Sequence, residues 1–118
     1  MSARRGDVVI VDWPFTAGGG TKPRPALVVQ NDHDNARLTN TIVVMITSRT
    51  HRAGEPTQVL IDVTTPDGQQ TGLHRTSVVN CINLFTLEQA KVLQTIGRLP
   101  AVLIQQVDVA LKAALELT

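Results

Sequence analysis

Up to residue 99 this chain is a series of short β-branched runs, each cut off by proline, glycine or a polar stretch; a long helical pattern begins only after that. Asp7–Trp13 contains Val8-Val9-Ile10-Val11, four apolar residues in a row, which predicts a buried strand. Pro14 through Pro23 includes Gly18-Gly19-Gly20 and reads as a long loop. Pro25 disfavours helix at Arg24, so the second strand is expected at Ala26–Asn31, followed by a polar connection from Asn31 to Asn40. Thr41–Thr47 predicts a third strand, and Ser48–Pro56 a basic loop. In Thr57–Val63, Val59, Ile61 and Val63 alternate with Gln58, Leu60 and Asp62, the period of a sheet with one protected face. Pro66-Asp67-Gly68 predicts a turn, and Thr76–Ile82 another strand. Thr86-Leu87-Glu88-Gln89 fits a capping box, which predicts a short helix to about Leu93, with a last strand at Thr95–Leu99. From Pro100 to Leu117, Gln105, Asp108, Lys112 and Glu116 share one helix face, opposite Leu103, Val107, Ala110, Leu111 and Ala114. Many short strands closed by one helix argue for the mainly-β or α+β class, as a small antiparallel barrel.

A chain of 118 residues is one domain by size, expected over 1–118, and 42% hydrophobic residues suffice for a core without disulfides. Cys81 is the only cysteine and lies in an apolar run, which suggests a buried, inert thiol and fits a reducing cytoplasm. No segment approaches the roughly 18 continuous apolar residues of a membrane span, and the N-terminus has no signal-peptide core. A soluble, cytoplasmic protein is the expectation. The net charge of +1 says little, but Lys22, Arg24, Arg49, Arg52 and Arg75 all fall in or beside loops. Asp32, Asp34 and Glu55 are interleaved with them, so the local basic surface is a modest one.

Several chemistries are absent. His33, His51 and His74 are far apart and form no metal-ligand spacing with Cys81. Gly18-Gly19-Gly20-Thr21-Lys22 lacks the spacing of a Walker loop, and there is no Gly-x-Ser-x-Gly elbow. No cofactor and no metal are expected. What remains is a set of Arg, Thr, Ser, Asn and His side chains, which suits RNA cleavage by the substrate's own 2′-hydroxyl. There the nucleophile arrives with the RNA, and the protein supplies positioning, proton transfer and charge stabilisation. DNA lacks the 2′-hydroxyl and could be bound but not cut this way.

The segments Arg5-Gly6-Asp7-Val8-Val9-Ile10-Val11-Asp12 and Arg24-Pro25-Ala26-Leu27-Val28-Val29-Gln30-Asn31-Asp32 resemble the opening of the MazF/PemK (Kid) family of toxin endoribonucleases from type II toxin–antitoxin systems. The resemblance continues at Thr47-Ser48, at Ser77-Val78-Val79 and in Val107-Asp108-Val109-Ala110-Leu111. It implies a small SH3-like antiparallel barrel of the CcdB/MazF kind, with a short helix and a C-terminal helix. It also implies a metal-independent, sequence-selective endoribonuclease acting on single-stranded RNA through a 2′,3′-cyclic phosphate. The implied partners are a second copy of the chain in a homodimer and a cognate MazE/PemI-like antitoxin.

By the same resemblance Arg24 matches the catalytic arginine of the Arg-Pro-x-Leu-Val motif, and Thr47 a threonine that stabilises the transition state. A guanidinium can grip two phosphate oxygens at once, but Arg24 could instead cap a strand end by pairing with Asp12 or Asp32. Strand-end threonines are common, and Ser48 could replace Thr47 as donor. Lys22, Ser48, Arg49 and Arg52 are candidates for holding RNA phosphates, and Ser77 and Asn83 for reading base edges. Trp13 and Phe15 flank the first loop; either could stack a base, although Trp13 suits a core better. The chain departs from the family in having glycine where relatives carry an acid or histidine in the first loop. It also reads Cys81-Ile82-Asn83 and Phe85-Thr86 where many relatives have an acid and a second arginine. Proton transfer therefore falls to His51, His74 or Arg24 itself. Fold alone does not separate a nuclease from a CcdB-like gyrase inhibitor, or from a silent relative that only binds an antitoxin.

Overall fold

The computed structural model describes residues 2–13 and 18–118. Within them, β1 (Asp7–Trp13), β2 (Lys22–Val28), β3 (Asn40–Thr47), β4 (Gln58–Ile61), β5 (Ser77–Glu88) and β6 (Val92–Arg98) form one sheet in the order β4-β5-β3-β2-β1-β6. Every pairing is antiparallel. Helices α1 (Asp32–Arg37), α2 (Pro66–Gln69) and α3 (Ala101–Leu115) join or flank the strands, and a 3₁₀ turn spans Gln89–Lys91. The mainly-β, α+β architecture is as expected. However, β4 and β6 are free edges, so the sheet is open rather than closed into a barrel.

Strand alternation gives the sheet two apolar faces. Val8, Leu27, Val44, Ile46, Val59, Ile61, Val79 and Cys81 pack on one face against Leu103, Val107 and Ala110 of α3. These three helix residues belong to the apolar stripe read from the sequence. Val9, Val11, Trp13, Ala26, Val28, Val43 and Leu87 form a second cluster on the opposite face. Each fully buried Val, Leu or Ile stabilises by about 1.5–3 kcal/mol, so both clusters matter. The Trp13 and Phe85 ring centroids lie 5.2 Å apart with planes at 56°, and Trp13 is a core residue. Phe15, the other aromatic considered for stacking, lies outside the described residues.

Three local expectations are corrected. The predicted helix from Thr86 to Leu93 is absent: β5 runs through to Glu88, and β6 begins at Val92. Gln89 does not complete a capping box. Its Nε2 donates to the carbonyls of Asn35 and Leu38 at 2.8 and 3.0 Å, and its Oε1 accepts from the Ala3 N–H at 2.8 Å. Those distant partners override the local helical preference. The polar connection after Asn31 contains α1, capped by Asn31 Oδ1 accepting from the Asp34 N–H at 2.8 Å. Finally, β2 starts at Lys22 and ends at Val28, because β1 pairs with it as far as Trp13↔Lys22.

The segment after α2 is held close to β6. Gly72 has φ of +74°, and a Cβ there would sit 2.0 Å from the Ile96 carbonyl oxygen. The Arg98 N–H donates to the Gln70 carbonyl at 3.1 Å, fixing the same approach. Gly54 has open space around it and no positive φ. Gly72→Ala is therefore expected to lower unfolding free energy by at least about 2 kcal/mol in urea titration, whereas Gly54→Ala stays within about 0.5 kcal/mol of the parent. Equal effects at the two glycines would contradict this packing.

Cys81 is fully buried, and burial pushes its thiol up from 9.0 to about 11. The native state thus holds the proton more tightly than the unfolded chain. This contribution is intact below pH 9 and is lost as pH rises through 11. Thiol reagents at pH 8 are expected to leave the native protein unlabelled and to label it once unfolded. Cys81→Ala is expected to flatten the stability loss between pH 9 and 11.

Candidate active site

The β2–β3 ladder pairs Ala26↔Met45, Leu27↔Val44 and Val28↔Val43, and stops there. The next residue of β2 is Pro25, which has no N–H to continue it. Both strands nevertheless run on, β2 held by β1 as far as Lys22 and β3 held by β5 as far as Thr47. Extending the same register by two residues sets Arg24 across from Thr47. The sheet is therefore parted where those two side chains stand.

A cleft reaches this gap from each face. One, of ≈ 380 Å³, is lined by Trp13, Met45, Gln58 and Asn80 together with His51 and Arg52. The other, of ≈ 330 Å³, is lined by Ile10, Pro25, Ile46, Ser48, His74, Arg75 and Ser77 among others. Arg24, Thr47 and Arg49 line both. A larger cleft, ≈ 640 Å³, lies elsewhere, between Ser2–Arg4 and β6, and its Arg98 is already paired with Asp7 at 2.6 Å.

Among the described residues Arg24 makes no ion pair. Pairing with Asp32 does not occur: that carboxylate accepts from the Arg5 N–H at 2.6 Å and from Asn35 at 3.3 Å. The Arg5 N–H is the main reason Asp32 titrates below its ordinary range. Arg49 and Arg75 likewise have no carboxylate partner among the described residues. Concentrating unneutralised guanidinium groups in half-enclosed clefts is unfavourable, and a bound anion relieves it. Thr47 Oγ1 accepts from the Arg49 N–H at 3.1 Å, which leaves its own O–H free to donate.

The other sequence candidates divide. His51 and Arg49 flank the gap on the Trp13 side, and Ser48, His74 and Arg49 on the α3 side. Arg52 lines its cleft but is forked onto Glu55, with Nε–Oε2 at 2.9 Å and Nη2–Oε1 at 2.8 Å. That contact raises Arg52 and lowers Glu55 from their ordinary pKa values and cancels the positive charge locally. Lys22 lines neither cleft. Ser77 is 4% exposed, and its hydroxyl donates to the Arg75 carbonyl at 2.8 Å, so it is poorly placed to read a base. Asn83 also lines neither cleft, and its Nδ2 donates to the Met45 sulfur at 3.1 Å. Sequence reasoning missed Gln58 and Asn80, and took Arg75 only as part of a basic surface. The signal for Gln58 was the alternation of β4, which set it on the face away from Val59 and Ile61. Among the described residues no group of three His, Cys, Asp or Glu gathers to hold a metal ion.

The profile of PemK-like, MazF-like toxins of type II toxin–antitoxin systems matches residues 4–115. The chain belongs to this family. It is 40% identical over 105 residues to Endoribonuclease MazF2 of Mycobacterium bovis (strain ATCC BAA-935 / AF2122/97), covering 88% of each chain. To Endoribonuclease EndoA of Bacillus subtilis (strain 168) it is 33% identical over 120 residues, covering 99% of this chain and 97% of that protein. Among solved structures, an endoribonuclease in complex with its cognate antitoxin from a mycobacterial species superposes with a TM-score of 0.80 at 26% identity, covering 99% and 98% of the two chains.

If the gap binds anions, its charge balance can be tuned. Glu55→Gln is expected to release Arg52 and raise affinity for a single-stranded oligonucleotide several-fold at low salt, while Arg49→Ala lowers it several-fold. Both effects should shrink as salt increases, as measured by fluorescence anisotropy. No change in either variant would remove the gap as the anion site.

Proposed function

We propose that this protein is the toxin of a type II toxin–antitoxin pair and a metal-independent, sequence-selective endoribonuclease acting on single-stranded RNA. The observation that carries this reading is the pairing of an unneutralised Arg24 with the free O–H of Thr47 at the edge of two clefts. The names of the full-length relatives support the reaction class. They also disfavour the gyrase-binding alternative.

In the proposed reaction the ribose 2′-hydroxyl attacks the adjacent phosphorus. The P–O5′ bond breaks, giving a 2′,3′-cyclic phosphate and a 5′-hydroxyl. Arg24 would hold two non-bridging oxygens and stabilise the charge that develops on them, while Thr47 donates to one of these oxygens. A base must remove the 2′-proton, and an acid must protonate the departing 5′-oxygen. His51 and His74 lie in the clefts on opposite sides of the gap, an arrangement that suits one for each task. The donor set needs no metal ion for these steps. A single toxin domain, working in the cytoplasm, fits this role. No helix among the described residues is long and apolar enough to cross a membrane.

A homodimer and an antitoxin complete the proposal. Val102 and Val109 of α3 are 47% and 67% exposed, and with Pro56 and Val59 they line a groove beside β4 that would suit a second copy. An extended acidic antitoxin segment would cover the gap and neutralise Arg24 and Arg49.

In excess chelator the purified protein is expected to cut single-stranded RNA to 5′-hydroxyl fragments and to leave the matching DNA whole. Arg24→Ala is expected to slow cleavage by roughly 10²–10³-fold with an unchanged melting temperature. Intact RNA across a randomised sequence pool would overturn the proposal.

A further inference from the structure

Gln58 and Asn80 lie on the Trp13 side of the gap, in the same cleft as Arg24 and Thr47. They sit opposite each other in the β4–β5 ladder, and Asn80 is in turn opposite Met45. Gln58 Nε2 donates to Asn80 Oδ1 at 3.0 Å and to Thr57 Oγ1 at 3.0 Å. Asn80 Oδ1 also accepts from the backbone N–H of Ile82 at 3.3 Å. A backbone N–H can only donate, so it fixes which end of the Asn80 amide faces it. The Asn80 oxygen is thereby committed, and so is the Gln58 nitrogen that donates to it.

What remains is a donor on β5, the Asn80 Nδ2, and an acceptor on β4, the Gln58 Oε1. Neither has a protein partner among the described residues. Gln58 is only 7% exposed, yet no buried side-chain oxygen or nitrogen among the described residues is left unsatisfied, so this acceptor is open to solvent, and Gln58 lines the cleft that holds Arg24. Two linked amides, oriented by the backbone and presenting one donor beside one acceptor, are complementary to the Watson–Crick edge of an unstacked base. The thioether of Met45, half-buried in the same cleft, offers a polarisable surface for the base plane.

We propose that Gln58 and Asn80 form a base-reading subsite that sets the sequence preference of this protein. The proposal rests on the single-stranded RNA reading of the gap. Adenine and cytosine present donor then acceptor across the Watson–Crick edge and guanine presents acceptor then donor, while uracil, with its N3–H between O4 and O2, presents either order. With Arg24 fixing the phosphate, strand direction is set, and the fixed order of donor and acceptor separates guanine from adenine and cytosine, uracil being compatible with either order. A good pair of such bonds discriminates by about one to two powers of ten.

The test replaces Asn80 in two ways. Asn80→Asp keeps an oxygen for Ile82 and Gln58 but turns the free donor into an acceptor. Asn80→Ser keeps an acceptor there and shortens the side chain, withdrawing the amide N–H. Two readouts are used with the parent and both variants: end-sequencing of fragments cut from a randomised RNA pool, and selection from a randomised 2′-O-methyl pool that binds but cannot be cut. The parent is expected to discriminate at least tenfold at one position between guanine on one side and adenine and cytosine on the other. Asn80→Asp is expected to move that position toward guanine, whose N1–H and N2–H are two adjacent donors, and Asn80→Ser to flatten it. Identical preferences in parent and variants, each with a native melting profile, would overturn the subsite. Binding selection that shifts as described without any cleavage would uphold the subsite while defeating the nuclease reading. Cleavage whose preference ignores Asn80 would do the reverse.

Discussion

The candidate site depends on where the β2–β3 ladder ends. Pro25 cannot extend the pairing beyond Ala26↔Met45, yet β1 and β5 keep the two strands in line as far as Arg24 and Thr47. The result is a gap inside a well-packed sheet rather than a pocket on its surface. Arg24 and Thr47 thereby line clefts on both sides of the parted strands. A guanidinium and a hydroxyl then stand opposite each other on rigid strands, which is how a site keeps its geometry without a metal or a bound group.

Charge pairing elsewhere sharpens this placement. Arg5 is held by Asp108, Arg37 by Asp34, Arg52 by Glu55 and Arg98 by Asp7. The first three of these contacts are partly exposed and each adds little to stability, whereas Asp7 is buried beneath Arg98. They neutralise four of the cations, Arg52 beside the gap included, while Arg24, Arg49 and Arg75 keep their charge where the clefts meet. The Arg75 end of that surface is set by the close approach of Gly72 to Ile96, which brings Leu73 and His74 to the gap. Packing far from the chemistry thus determines what lines it.

Strands with long β-branched or alternating runs were legible in the sequence, and so was α3, because burial on one face imposes a period that survives tertiary context. The errors fell where local preference and long-range partners disagree. Thr86–Gln89 has the composition of a helix start, but Gln89 binds Ala3, Asn35 and Leu38, and the segment continues as strand. Asn31–Asn40 is too short and polar to show a helical period, so α1 was missed although Asn31 is a good cap. Pro23 and Pro25 disguised the start of β2. For the site, Arg24 and Thr47 were found through their motifs, and the structure brings them together. Whether Lys22, Ser77 or Asn83 could reach the site depended on side-chain direction and hydrogen bonding, which spacing along the chain does not encode. Asn80 and Gln58 escaped notice for the same reason: their importance comes from cross-strand pairing between residues far apart in sequence.

The most direct measurement is a crystal structure with a single-stranded RNA carrying a 2′-deoxy sugar at the cleavage position. The account predicts one phosphate within hydrogen-bond distance of both the Arg24 guanidinium and the Thr47 hydroxyl, between the two clefts. An RNA lying along the groove between Ser2–Arg4 and β6, with the gap left empty, would contradict it.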